Sequence, residues 1–261
     1  LQEEKTESRT GIWGRANMKQ YEAVIKVMEN NGGFATLGFL NQEVLKIKEC
    51  EWKTKTPFAS IRRIVQDERF FFKVRPGLWA LKKYKQKLPS EIFPTKSEPK
   101  SKLAEYTHTY YQGLLVEIGN LRKYGTFVPN QDKNKVFLNK KLSDIASLNE
   151  IYKFSYDRIV QNAKTVDVTW FNERKMPTCF FEIEHSTGIY RSLLKFHELQ
   201  DFYTKYFIVA DTVRRRDYED KVSATAFSPI QDRVKFLSYD QLSEWHERTF
   251  QMIEVERGIG L

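Results

Sequence analysis

The sequence predicts a chain of α+β and α/β character in two parts, a winged helix-turn-helix followed by a larger domain mixing strands and helices. Three observations predict it. The first 100 residues hold 20 Lys+Arg against 12 Asp+Glu, and the rest hold 23 against 22, so the net charge of +9 divides into +8 and +1. Between the parts, Tyr84–Lys102 carries Pro89, Pro94, Pro99 and a run of lysines with no apolar periodicity, the composition of a semi-extended linker. Beyond it, helical spacing of apolar residues gives way to two-residue alternation. The boundaries read as 15–84, a linker over 85–103, and 104–261.

Composition narrows the class further. At 41% hydrophobic and 30% charged residues the chain is a folded one with a sizeable core. No apolar run reaches the roughly 18 residues that span a bilayer, and the first ten residues lack a signal-peptide pattern, so the expectation is a cytoplasmic protein without a membrane partner. Cys50 and Cys179 are too few for a disulfide framework or a structural zinc site.

In the first part, Tyr21, Val24, Ile25 and Met28 fall on one face of a helix over Met18–Glu29, which Asn30-Asn31-Gly32-Gly33 ends. A second helix is expected over Leu37–Ile47. Thr56 as N-cap and Pro57 in the first turn open a third, with Phe58, Ile61, Ile64 and Val65 facing inward. Phe70–Val74 and Leu78–Leu81 then read as strands across a turn at Arg75-Pro76-Gly77. The exposed face of the third helix is suited to a DNA groove. Arg62 has the fork for guanine or a phosphate, and Arg63, Lys73 and Arg75 are candidate phosphate neutralisers. A solvated basic surface, or a protein-docking module, remains open for the same residues.

Residues 17–83 resemble the HARE-HTH family of winged helices, through Lys55-Thr56-Pro57, Arg69-Phe70 and Pro76-Gly77-Leu78-Trp79-Ala80-Leu81. The resemblance implies DNA binding through the third helix, with the hairpin touching the backbone.

In the second part a helix is expected over Leu103–Asn120, with Glu117 among Tyr111, Leu114, Leu115 and Ile118. Thr126–Val128 follows as a short strand, Pro129–Lys141 as loop, and Ser143–Ile159 as a helical segment. Thr165–Trp170 and Thr178–His185 read as strands joined by a polar turn. Alternation puts Glu182 and Glu184 on one face of the second strand, with Cys179, Phe181 and Ile183 on the other. Two neighbouring carboxylates repel and lose solvation if buried, a conflict that a hard divalent cation shared with Asp167 resolves. A solvent-facing Glu-x-Glu on a one-sided sheet is the other reading.

The order Glu on a helix, Asp on a strand, then Glu-x-Glu on the next strand resembles the PD-(D/E)xK nuclease superfamily over residues 104–240. The flanks Val166–Trp170, Phe181–Thr187 and Gly188–Lys195 strengthen it. What this implies is a restriction-endonuclease-like α/β/α domain with a central mixed sheet, hydrolysing phosphodiesters of double-stranded DNA with Mg²⁺, or Mn²⁺ in its place. By that resemblance Asp167, Glu182, the Ile183 carbonyl and Glu117 hold metal, and Glu184 orients or deprotonates water. Glu184 stands where the superfamily usually has lysine, and Val166 replaces the usual proline. Lys195 on the following helix can supply the missing cation, and His185 can contact phosphate. Arg214-Arg215-Arg216 reads equally as a backbone contact or a solvated loop. Cutting both strands with one site per chain implies a homodimer, and a restriction system implies a partner DNA methyltransferase. A modification-dependent endonuclease and a non-catalytic DNA-binding regulator are the alternatives.

Overall fold

The computed structural model describes residues 18–95, 97–185 and 188–260. The first seventeen residues, with residues 15–17 of the first expected domain, and Lys96, Ser186, Thr187 and Leu261 fall outside them. The first part holds α1 (Gln20–Asn30), β1 (Phe34–Thr36), α2 (Leu37–Glu43), α3 (Pro57–Val65), β2 (Phe71–Arg75) and β3 (Leu78–Leu81). The expected second helix is shorter than its apolar pattern, because Val44–Lys46 tightens into a 3-10 turn. Thr56 does not cap α3 with its side chain. Its amide instead donates to the Thr54 hydroxyl at 3.1 Å.

The three strands pair antiparallel in the order β1-β3-β2, and alternation gives that small sheet two buried faces. Ala35, Phe71 and Leu81 pack with α1–α3. Phe34, Leu78 and Ala80 enter a second core shared with the rest of the chain.

The connecting stretch is not extended. Pro89 O accepts from the amides of Ile92 and Phe93 at 3.0 and 2.9 Å, folding the chain into a turn that buries Ile92. Arg75 holds this turn: its guanidinium donates to the carbonyls of Glu91, Ile92 and Tyr106 at 3.1–3.2 Å and lies over the Tyr110 ring. Desolvation lowers its pKa. The expectation that Arg75 faces DNA phosphate is therefore corrected. A lone arginine beside a proline looks like a surface charge in sequence, but here it satisfies carbonyls that the turn leaves without partners. The hairpin tip is similarly occupied, since Pro76 O accepts from Tyr110 Oη and Ser243 Oγ at 2.9 and 3.0 Å, and Gly77 takes φ +76°. Arg75→Met should lower stability by roughly 2–4 kcal/mol in a denaturant titration, the cost of unpaired buried carbonyls.

The second part contains α4 (Lys100–Leu121), β4 (Gly125–Phe127), β5 (Val136–Phe137), β6 (Lys140–Lys141), α5 (Leu142–Ile145), α6 (Asp157–Ala163), β7 (Val168–Phe171) and β8 (Pro177–Glu184). It continues with α7 (Ile189–His197), β9 (Lys205–Ala210), α8 (Arg215–Val222), β10 (Val234–Ser238) and α9 (Tyr239–Gly258). The five-stranded sheet runs β10-β9-β8-β7-β4 and is mixed: β10, β9 and β8 are parallel, β7 and β4 antiparallel. Leu114, Leu115 and Ile118 of α4 and Leu242 of α9 cover one face with Trp170, Phe181 and Ile183. Val160 of α6, Leu193 and Phe196 of α7 and Tyr218 of α8 cover the other with Phe171, Phe180 and Ile208. Gly113 lets α4 approach so closely that a Cβ there would lie 2.1 Å from the Phe137 ring.

The helix expected over Ser143–Ile159 is corrected to α5 and α6 with irregular chain between. The amides of Ser147 and Leu148 donate to Thr126 Oγ1 and Thr126 O, both at 3.0 Å, and Thr126 N donates to Ser147 Oγ at 2.8 Å. Tertiary bonds to β4 take the groups a helix would have used, overriding local propensity. Among the described residues, no helix is long and apolar enough to cross a membrane.

Candidate active site

The acids expected from the sequence meet at one end of the mixed sheet. Val168 pairs with Phe181, which sets Asp167, just ahead of β7, beside Glu182 on β8. Asp167 Oδ2 accepts from Ile183 N at 2.7 Å, and Asp167 N lies 3.4 Å from Glu182 Oε1. Glu182 and Glu184 share the face of β8 that looks at α7, as two-residue alternation requires, and both are buried.

Helix α7 meets them with a polar pair three residues apart. Lys195 Nζ lies 2.9 Å from both Glu182 oxygens and 3.0 Å from Thr165 O. Ser192 Oγ lies 3.0 Å from Glu182 Oε2 and also bonds Glu184 Oε1. A hydroxyl has one proton to donate, so two carboxylates on one serine require either a proton on one of them or a cation nearby. The electrostatics agree. Desolvation, and then the charge of Asp167, push the Glu182 carboxyl up to about 8, in spite of Lys195. Arg214 Nη1 lies 3.9 Å from Glu184 Oε2, and its Nη2 pairs with Asp217 at 2.9 Å, so that arginine faces the acids.

From the other face of the sheet, α4 supplies groups the sequence reading missed. His108 Nε2 lies 3.1 Å from Asp167 Oδ2. Burial pulls this imidazole down, but Asp167, with Asp132 behind it, more than offsets that, and its pKa is raised. Gln112 Nε2 donates to Asp132 Oδ2 at 2.8 Å and to Asp167 O at 3.1 Å, and Lys135 Nζ pairs with Asp132 at 2.6 Å. His108, Asp132, Lys135, Asp167 and the exposed His185 line one cleft of about 420 Å³. The spacing of His108 and Gln112, four apart on one helix, was the signal available for them. Asp132, in a loop, offered none.

Glu117 is not part of this cluster. Its carboxylate bonds His246 Nε2 of α9 at 2.7 Å. At 3.6 residues per turn, a position five residues beyond Gln112 points about 140° away from it. The four basic candidates of the first part also separate. Arg63 and Lys73 are exposed, Arg75 is held as described, and Arg62 pairs with Glu247 of α9.

Asp167, Glu182 and the Ile183 carbonyl offer oxygen donors, and Lys195 offsets the repulsion between the two carboxylates only in part. That chemistry fits a hard divalent cation. Among the described residues, no three His, Cys, Asp or Glu side chains stand as a preformed metal cage. Glu182 is turned to Lys195 and Ser192, and Asp167 to Ile183 N and His108.

Comparison with known proteins adds the family. The stretch 87–257 matches the model for the type II restriction enzyme NmeDI C-terminal domain. The type II restriction enzyme NmeDI of Neisseria meningitidis serogroup C is 29% identical over 133 residues, which cover 47% of this chain and 37% of that enzyme. The match thus spans little more than a third of the relative's length. No solved structure matches the chain. With well over half of its residues inside the family match, the chain belongs to the family of the type II restriction enzyme NmeDI C-terminal domain.

Proposed function

We propose that this protein is a divalent-metal-dependent endonuclease of the PD-(D/E)xK kind that hydrolyses double-stranded DNA, acting as a type II restriction enzyme. One observation carries the reading: Asp167, Glu182 and Glu184 are gathered with Lys195 at one end of a mixed sheet, two of them buried at a cost in stability. Mg²⁺ would be held by Asp167, Glu182 and the Ile183 carbonyl, and would lower the pKa of water and neutralise charge on the phosphate. The chain's own groups do the rest. Lys195 supplies the cation absent from strand β8, where Glu184 replaces lysine, and can turn from Glu182 to a phosphate oxygen. Glu184, tied to Ser192, orients the attacking water or takes its proton. His108 and Gln112 fix Asp167 from α4, as outer partners of metal ligands do.

In the same reading, the first part is a winged helix that presents the exposed Arg63 of α3 and Lys73 of β2 to DNA. A homodimer places one site on each strand. A companion methyltransferase would protect the host's own sites.

Supercoiled plasmid and linear genomic DNA, both modified and unmodified, test this with Mg²⁺, with Mn²⁺ and with EDTA. Cleavage is expected with metal, lost in EDTA and lost in Asp167→Asn, which should still bind DNA. Intact DNA of every kind in the presence of metal would show a binding protein instead.

A further inference from the structure

A second cleft, of about 470 Å³, opens on the α7 side of the acids and shares only Lys195 with the chemistry above. Its walls are α6 and α7. Arg158 near the start of α6 lies 3.9 Å from Glu198 past the end of α7, while Lys195 Nζ reaches Thr165 O where α6 has ended. Arg191, Lys195 and Glu198 repeat along α7 at helical spacing, and Asn162 and Thr165 face them from the α6 side. The lining holds three cations and one acid. Arg158 and Arg191 are exposed, and the long contact to Glu198 barely restrains Arg158.

The position of this groove matters as much as its charge. Lys195, the residue that binds Glu182, lines it, so a strand leaving the acids toward α7 meets it directly. From residue 191 to 198 α7 advances about 10 Å. Successive phosphates of one DNA strand lie farther apart than their axial rise of about 3.4 Å, so this length, with the reach of the two arginines, suits two or three phosphates. The cleft with His108, Lys135 and His185 lies on the α4 side of the acids.

We propose that the α6–α7 groove is the track for the backbone of the DNA strand being cut, with Arg191 and Arg158 holding the phosphates beyond the one at Lys195. The proposal rests on the endonuclease reading and assigns its substrate path. Guanidinium groups suit it, because they bind phosphate oxygens in pairs and keep their charge at any working pH.

The test uses the full chain, a fluorescent DNA duplex and EDTA, with affinity measured across a salt series. Arg158→Gln/Arg191→Gln should bind about tenfold or more weakly at 0.1 M salt, and the slope of log affinity against log salt should be shallower by roughly 1.8, about 0.9 for each phosphate no longer neutralised. The charge-matched control Arg174→Gln/Lys175→Gln lies in the turn between β7 and β8, at the far end of the sheet, and should keep the parent slope. Equal slopes and affinities for the parent and the groove variant, with thermal midpoints unchanged, would overturn the track. If the groove variant has the shallower slope and the control keeps the parent's, the track stands. A parent that binds no duplex in EDTA and cuts none in Mg²⁺ would instead remove the endonuclease reading, and the track with it.

Discussion

Glu182→Gln should abolish DNA cleavage and, at pH 8.5 without metal, raise the thermal midpoint. Most substitutions of a buried, hydrogen-bonded residue lower stability, so the sign of this one is informative. Burial and Asp167 hold the Glu182 pKa far above its ordinary 4.5, up to about 8. Between those values the folded state binds more protons than the unfolded state. Stability therefore falls as pH rises through that window, and the cost is absent below it. The shift persists with Lys195 in contact, so the surroundings remain hostile to the charge even with its partner counted. An amide cannot ionise and escapes the penalty. At about 1.4 kcal/mol per tenfold change in proton affinity the ceiling at pH 8.5 is roughly 5 kcal/mol, and the gain should be roughly 2–4 kcal/mol once the amide's weaker bond to Lys195 is counted. For a chain of this size each kcal/mol moves the midpoint about 2–4 °C.

Metal gives the same experiment a second axis. Mg²⁺ bound at Asp167 and Glu182 in the folded state should raise the wild-type midpoint with concentration, most at high pH, where Glu182 is free of its proton. Glu182→Gln should respond little. A wild-type midpoint that stays flat across pH 5–8.5, or a Mg²⁺ response equal in both proteins, would refute the assignment of Glu182.

The parts of this site that were legible in the sequence are those written in a local period. Glu182 and Glu184 declare a shared strand face through their spacing, and Asp167 declares itself by standing among strand formers. Lys195 is visible because it follows the acids on the next helix. What the sequence concealed depends on where the chain returns. Asp132 meets Gln112 and Lys135 through a loop without periodicity. Glu117 satisfies the expected order of acids, yet the turn of α4 delivers it to His246. The fold divides in the same manner. The β2–β3 hairpin and α4 follow from turn residues and apolar spacing, whereas the packed linker depends on Arg75 reaching carbonyls sixteen to thirty-one residues ahead. A residue type announces what it can bond, but only the folded chain supplies the partner.

Arg62 is the sharpest case, and the asymmetry of its ion pair yields the second large effect. The side chain of Glu247 is 4% exposed and that of Arg62 is 48% exposed. Arg62 Nε lies 3.3 Å from Glu247 Oε1, Nη2 bonds Oε2, and Gln251 Nε2 donates to Oε1 at 3.0 Å. Arg62→Ala leaves a buried carboxylate with one neutral donor, which should cost about 1–3 kcal/mol. Glu247→Gln should cost less, since water reaches the guanidinium it abandons. The double variant should recover part of the loss, because it buries no unpaired charge. The same variants separate the two roles open to Arg62. Tying α3 to α9 predicts that the double variant binds duplex DNA within about twofold of the parent. A reader of guanine predicts a loss of about tenfold or more, equal in Arg62→Ala and in the double variant, because each good bidentate base contact is worth about 1–3 kcal/mol. The geometry favours the tie: with both oxygens of Glu247 engaged by the guanidinium, a base edge would have to displace a buried carboxylate to reach it.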